Sequence, residues 1–201
     1  RCPERLARDL SRDASIRVPL VGVVVAHSSP ENDALYRSAQ RDLDSGYLSA
    51  LQIHDRSYAS APVESDGGSG EAFGGASYRA VQGATPAEIG SKISSIRTPR
   101  FLIDAHDPHR AGGTGTRVSD RILESAVRAI EERPHGALWI AGGLGPDNIA
   151  DVIARWDPEL VDASSGLEDS PGRKSAQLLR AYFGAIDRVT SGAPGMEVCS
   201  G

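Results

Sequence analysis

The chain alternates between short, nearly continuous apolar runs and longer stretches with helical spacing of apolar residues. Apolar runs of this length, bounded by polar residues, are typical of strands buried on both faces of a parallel sheet. Six strands are predicted: Leu20 to Ala26, Ala50 to His54, Tyr78 to Gln82, Phe101 to Asp104, Ala137 to Ala141 and Leu160 to Ala163.

The stretches between these strands carry the start signals and apolar periodicity of helices. The predicted helices are Pro3 to Leu10, Pro30 to Leu43, Pro86 to Ile96, Ser119 to Glu132, Pro146 to Arg155 and Ser175 to Ile186. Alternating strands and helices imply either an open, doubly wound sheet or a barrel. No Gly-x-Gly-x-x-Gly pattern follows the first strand, so a dinucleotide fold loses support. The pattern favours an α/β fold of the (β/α)8 TIM-barrel type, with about six βα units visible in this chain.

Two segments interrupt this rhythm. Residues 57–76 are rich in glycine and serine, lack an apolar stripe and are predicted to form a flexible insertion in a barrel domain at 1–188. Residues 189–201 are predicted to be a flexible C-terminal tail. Because six strands cannot close an eight-stranded barrel, we expect the first two strands to precede Arg1, which leaves the domain incomplete at its N-terminus.

Composition excludes several classes of function. A length of 201 residues suits one domain, and a net charge of −5 without a Lys/Arg cluster argues against nucleic-acid binding. The chain has neither the apolar run of about 18 residues that a membrane span needs nor a signal-peptide pattern, so a cytoplasmic protein is expected. Cys2 and Cys199 form neither a disulfide framework nor a metal pair, and His106 and His109 lack a third ligand. No metal site is predicted.

Two glycine-containing turns follow the last two predicted strands, at 141–144 (Ala-Gly-Gly-Leu) and 162–166 (Asp-Ala-Ser-Ser-Gly). Such turns present backbone N–H groups to an anion. A (β/α)8 barrel often holds a substrate phosphate after its seventh and eighth strands. The residues predicted to bind phosphate through these turns are Gly142, Gly143, Ser164, Ser165 and Gly166.

Polar residues also end the earlier strands. Gln52 and His54 close the second predicted strand, and Asp104 closes the fourth, just before a glycine-rich loop at 112–115. In this order, and together with the two turns, these features resemble the phosphoribosylanthranilate isomerase family of tryptophan biosynthesis. The resemblance runs from about Arg1 to Ile186.

The resemblance implies an enzyme of the aldose–ketose, intramolecular-oxidoreductase type that uses no cofactor. It would carry out the Amadori rearrangement of N-(5-phospho-D-ribosyl)anthranilate to 1-(2-carboxyphenylamino)-1-deoxy-D-ribulose 5-phosphate, which needs one acid and one base. The family pattern assigns the acid to Asp104. It implies substrate contacts from Arg1, Gln52, His54 and Asp162, and a further phosphate contact from Gly113.

The family's base is a cysteine within a Lys-x-Cys-Gly motif, which this chain does not contain. Cys2 precedes a predicted helix rather than ending a strand, so the base is left unassigned. The alternative is therefore a non-catalytic relative that binds a phosphate ligand or serves as a scaffold. A histidine-pathway sugar isomerase or a pentose-phosphate epimerase is a weaker alternative. The expected ligand is a small molecule, and homo-oligomerisation or fusion to another tryptophan-pathway enzyme stays open.

Overall fold

A computed structural model describes residues 4–13, 15, 18–26, 34–55, 76–95, 100–105 and 117–191. Its centre is a six-stranded parallel sheet whose strands follow one another in chain order. The strands are β1 (Val21–Ala26), β2 (Ala50–Asp55), β3 (Ala76–Val81), β4 (Arg100–Ile103), β5 (Ala137–Ile140) and β6 (Leu160–Val161). A doubly wound sheet reverses its strand order at a switch point. The sequential order seen here is that of a barrel wall, as the sequence predicts.

Within the described ranges, six helices accompany the strands: α1 (Glu4–Arg12), α2 (Ala34–Asp44), α3 (Pro86–Ser95), α4 (Asp120–Glu131), α5 (Ile149–Trp156) and α6 (Ala176–Ser191). Among the described residues, no helix is both long enough and apolar enough to cross a membrane. The segment between β6 and α6 contains one turn of 3-10 helix at Ser165–Leu167 and an antiparallel hairpin of β7 (Glu168–Ser170) and β8 (Arg173–Lys174). The sequence patterns do not predict this hairpin.

The two faces of the sheet have separate cores, because successive side chains of a strand point to opposite faces. On β4, Phe101 and Ile103 pack with the helices, whereas Leu102 belongs to a cluster on the other face. That inner cluster contains Ala50, Tyr78, Ala80, Leu102, Trp139 and Ala141. Val21 of β1 and Leu160 of β6 pack against it from the two edges of the sheet. The sheet therefore has the filled inner face and helix-covered outer face of a barrel wall.

Several elements begin or end at other residues than predicted. Helix α5 begins at Ile149 rather than Pro146, because the side chain of Asn148 is engaged with the backbone of the preceding turn. Strand β6 ends at Val161 rather than Ala163. Helix α6 continues to Ser191, five residues beyond the predicted end, so residues 189–191 of the predicted tail are helical.

Several predictions concern residues outside the described ranges. The predicted insertion at 57–76 lies there except for Ala76, which begins β3. Residues 192–201 of the predicted tail and the first residues of the predicted helix Pro30 to Leu43 also lie there.

Candidate functional site

A cavity of about 570 Å³ lies on the inner face of the sheet and reaches the turns that follow β5 and β6. This volume is within the usual range for small-molecule sites. The cavity brings together most of the residues chosen from the sequence: Gln52, His54, Asp104, Gly142, Gly143, Asp162, Ser164 and Ser165. Gly166 follows them in the second turn, whereas Arg1 and Gly113 lie outside the described residues. Tyr78, which the sequence patterns did not single out, also lines the cavity.

Asp104 lies directly after β4 and is buried, with 6% of its surface exposed. Its Oδ1 accepts the backbone N–H of Ala105 at 2.8 Å, and its Oδ2 accepts a hydrogen bond from Nε2 of Gln82 at 2.8 Å. The carbonyl oxygen of Gln82 in turn accepts a hydrogen bond from Nζ of Lys92 on α3 at 2.7 Å. Both carboxylate oxygens are thus held, and the orientation of the Asp104 side chain is fixed.

The first turn needs glycine for two reasons. Gly142 and Gly143 have φ of +83° and +62°, a region that side chains other than glycine rarely adopt. A Cβ at Gly142 would also lie 2.7 Å from the nitrogen of Ala105 and 3.0 Å from Oδ1 of Asp104. The backbone of this turn therefore packs directly against the Asp104 carboxylate.

The side chain of Asn148 stabilises the same turn through two hydrogen bonds. Its Oδ1 accepts the N–H of Gly145 at 3.0 Å, and its Nδ2 donates to the carbonyl of Gly143 at 2.9 Å. Sequence reasoning missed Asn148, although an asparagine just before a helix is a familiar turn residue.

The second turn packs against the first. A Cβ at Gly166 would overlap the carbonyl oxygen of Leu144 and would lie 3.3 Å from Cα of Gly145. From the other side, a Cβ at Gly145 would lie 3.4 Å from the carbonyl oxygen of Gly166. The two turns therefore form one continuous wall of the cavity, and their separation is set by backbone-to-backbone contact.

The β7–β8 hairpin stabilises this second turn through hydrogen bonds. Nζ of Lys174 donates to the carbonyl of Ser164 at 2.8 Å and to Oε1 of Glu168 at 2.8 Å. Oε2 of Glu168 accepts the N–H of Gly172 at 3.0 Å, which closes the hairpin. The hydrogen bond from Lys174, followed by that from Gly172, lowers the pKa of Glu168.

The polar groups of the cavity influence one another's charge. Burial raises the pKa of Asp162, and the nearby Asp104 raises it further, while His54, Lys174 and a hydrogen bond from Gln52 lower it. Burial lowers the pKa of His54, against the opposing influence of Asp104 and Asp162. The cavity thus favours a neutral imidazole at His54 and a carboxyl at Asp162 that takes up a proton more readily than an exposed one.

Strands in sequential parallel order, with two glycine-containing turns beside the buried Asp104 carboxylate, define an α/β barrel-type protein with a candidate small-molecule site at the ends of its strands. A sequence model of N-(5'phosphoribosyl)anthranilate (PRA) isomerase matches residues 20–185. The chain belongs to this isomerase family of tryptophan biosynthesis.

Similar proteins agree with this assignment. An N-(5'-phosphoribosyl)anthranilate isomerase from Citrifermentans bemidjiense is 32% identical over 194 residues, which cover 92% of this chain and 84% of the relative. One from Geobacter sp. strain M21 is 32% identical over 195 residues, covering 93% and 85%. The crystal structure of the Thermus thermophilus enzyme matches with a TM-score of 0.68 at 24% identity, covering 93% of this chain and 81% of that one. The family and the barrel-type fold expected from the sequence are confirmed.

The contact between the two turns makes Gly166 sensitive to substitution. We expect Gly166→Ala to lower the free energy of unfolding by about 1–3 kcal/mol, because the added methyl group must push backbone atoms apart. Urea denaturation measures this. Gly184→Ala on α6 is the matched control, since its Cβ would meet only Nη1 of Arg188 at 3.7 Å and alanine favours a helix. A Gly166→Ala protein as stable as the parent would contradict the described contact.

The pKa of Asp162 makes a second prediction. A carboxyl whose pKa is higher in the folded state contributes stability below its unfolded pKa of about 3.9, and that stability is lost as pH rises through the folded pKa. Asp162→Asn removes this pH dependence. We therefore expect the variant to gain stability relative to the parent as pH is raised above about 4, as measured by urea denaturation across pH.

Asp187→Asn on α6 supplies the control for this pH series, because it makes the same change at an exposed position. If the parent protein instead gains stability relative to Asp162→Asn with rising pH, the direction assigned to Asp162 is wrong.

Proposed function

We propose that the chain binds N-(5-phosphoribosyl)anthranilate in this cavity and converts it to 1-(2-carboxyphenylamino)-1-deoxyribulose 5-phosphate. The observation that carries the proposal is that the buried Asp104 carboxylate lies against the backbone of Gly142, and that both residues line the cavity. A phosphoribosylanthranilate isomerase structure that holds reduced 1-(o-carboxyphenylamino)-1-deoxyribulose 5-phosphate has the same fold, with a TM-score of 0.58 at 20% identity over 94% of this chain and 80% of that one.

The two turns are the proposed phosphate receptor. Their glycines allow backbone N–H groups to approach an anion without side chains in the way. The contact of Gly166 with Leu144 fixes the spacing of the two turns before any ligand arrives. A preformed receptor reduces the cost of ordering the site on binding. Gly113, predicted from the sequence as a further phosphate contact, remains a prediction.

Asp104 is the proposed general acid. The lone pair of the anthranilate nitrogen forms a C1′=N bond while the bond from C1′ to the ring oxygen breaks, and the ring oxygen takes the proton of the acid. A base then removes the C2′ proton, and that electron pair forms C1′=C2′ as the iminium nitrogen is neutralised. Tautomerisation of the enol gives the C2′ ketone. Two fixed hydrogen bonds, from Ala105 and Gln82, hold Asp104 in one orientation for its step.

The remaining cavity groups are proposed to hold the rest of the substrate. Asp162 is suited to accept the N–H of the anthranilate amine, while Gln52 and His54 line the adjoining wall. The substrate role of Arg1 remains a prediction from the sequence, and the base remains unassigned.

Turnover is tested by following the loss of phosphoribosylanthranilate fluorescence. We expect Asp104→Asn to lower kcat by about 10²–10⁴-fold, the usual contribution of a general acid. The dissociation constant for the reduced product analogue should change little, because the amide keeps the shape of the carboxylate. Asp151→Asn on α5 is the matched control on a different surface.

Three outcomes are informative here. Full turnover by Asp104→Asn would remove the acid assignment. Binding of the product analogue without turnover by the parent chain would favour the non-catalytic, ligand-binding alternative. Failure to bind the analogue would overturn the proposed function.

A further inference from the structure

A line of three buried side chains crosses β2 and β3 at the cavity wall. Gln52 and Tyr78 are register partners on neighbouring strands, and His54 follows two residues after Gln52 on the same face. The hydroxyl of Tyr78 donates to Oε1 of Gln52 at 3.2 Å, and Nε2 of Gln52 lies 2.9 Å from Nε2 of His54. The Tyr78 ring is itself fixed edge-on against Trp139, with centroids 4.7 Å apart.

The hydrogen-bonding capacity of each group decides how this line is oriented. A carboxamide has one acceptor oxygen and an NH2 group with two donors, whereas a tyrosine hydroxyl can donate or accept. The hydroxyl of Tyr78 donates to Oε1 of Gln52, so the amide oxygen is already occupied on that side. The NH2 group of Gln52 therefore faces His54, with its nitrogen 2.9 Å from Nε2 of the ring.

This orientation determines the state of the imidazole. One N–H of Gln52 points to Nε2 of His54, so that nitrogen must carry a lone pair rather than a proton. A neutral ring then carries its proton on Nδ1. Protonation at Nε2 would place two donors 2.9 Å apart. Burial of the ring acts in the same direction, because it disfavours the imidazolium.

We propose that Tyr78 is a positioning residue that fixes the Gln52 amide and thereby holds His54 as the neutral Nδ1–H tautomer. Tyr78 has this role because its hydroxyl is the donor that occupies Oε1 of Gln52. His54 then places a neutral ring at the cavity wall instead of a positive charge. The inference rests on the proposed function only for the identity of the ligand, since the tautomer is a property of the unliganded protein.

The test is the ¹⁵N NMR spectrum of the histidine side chains in the unliganded 201-residue chain at pH 7.5. The His54 signals are identified by their loss in His54→Asn. In the parent protein we expect His54 to show a protonated Nδ1 and an unprotonated Nε2. In Tyr78→Phe, Oε1 of Gln52 loses its donor. The tautomer ratio should then move about three- to tenfold toward Nε2–H, because one net hydrogen bond changes an equilibrium by about this factor.

Tyr182→Phe is the matched control. Tyr182 is also a buried tyrosine, but its hydroxyl has no hydrogen-bond partner within the part of the chain that the structure describes. The His54 spectrum of this variant should match that of the parent. If Tyr78→Phe does not fold, Gln52→Met serves instead. This variant lacks the amide that donates to Nε2 of His54, so the preference for the Nδ1–H tautomer should be lost.

Three results would overturn the proposal: an Nε2–H tautomer in the parent, an imidazolium in the parent at pH 7.5, or an unchanged tautomer ratio in Tyr78→Phe. None of them depends on turnover. A chain that fails to isomerise phosphoribosylanthranilate can still show the expected tautomer, and an active chain can lack it. Failure of the inference is therefore distinguishable from failure of the proposed function.

Discussion

The backbone contact between the turn after β5 and the turn after β6 is the constraint on which the site depends. Gly166 lies against the carbonyl of Leu144 with no room for a side chain, so the two turns cannot move independently. The first turn also packs against Asp104, through Gly142. These two glycine contacts join the proposed phosphate receptor to the proposed acid as one unit.

Side-chain hydrogen bonds support that unit from outside the cavity. Asn148 fastens the first turn, Lys174 fastens the second, and Gln82 orients Asp104. Lys174 and Glu168 belong to a small hairpin with few residues, whose stability depends on their ion pair and on the N–H of Gly172. A site of this kind is preorganised, which is the condition for electrostatic stabilisation of a reacting group.

The sequence predicted the strands well because parallel strands that are buried on both faces consist of uninterrupted apolar residues, as at 101–103. It also predicted eight of the residues that line the cavity, because the carboxyl ends of sequential parallel strands lie at one edge of the sheet. The supporting residues were not predicted. Gln82 bonds to Asp104, which lies 22 residues further along the chain. Tyr78 and Gln52 are 26 residues apart. No local sequence pattern indicates contacts over such separations. The β7–β8 hairpin was missed for a different reason, because its two strands have only three and two residues and carry no alternation of apolar and polar residues.

Backbone NMR of the ¹⁵N-labelled chain, titrated with inorganic phosphate and with ribose 5-phosphate, tests most directly whether the joined turns are the anion receptor. The account predicts saturable shifts of the amide signals of Gly142, Gly143, Ser165 and Gly166 with both ligands, and none at Gly184 on the outer helix α6. Saturable shifts confined to other parts of the chain, with these four amides unchanged, would contradict it.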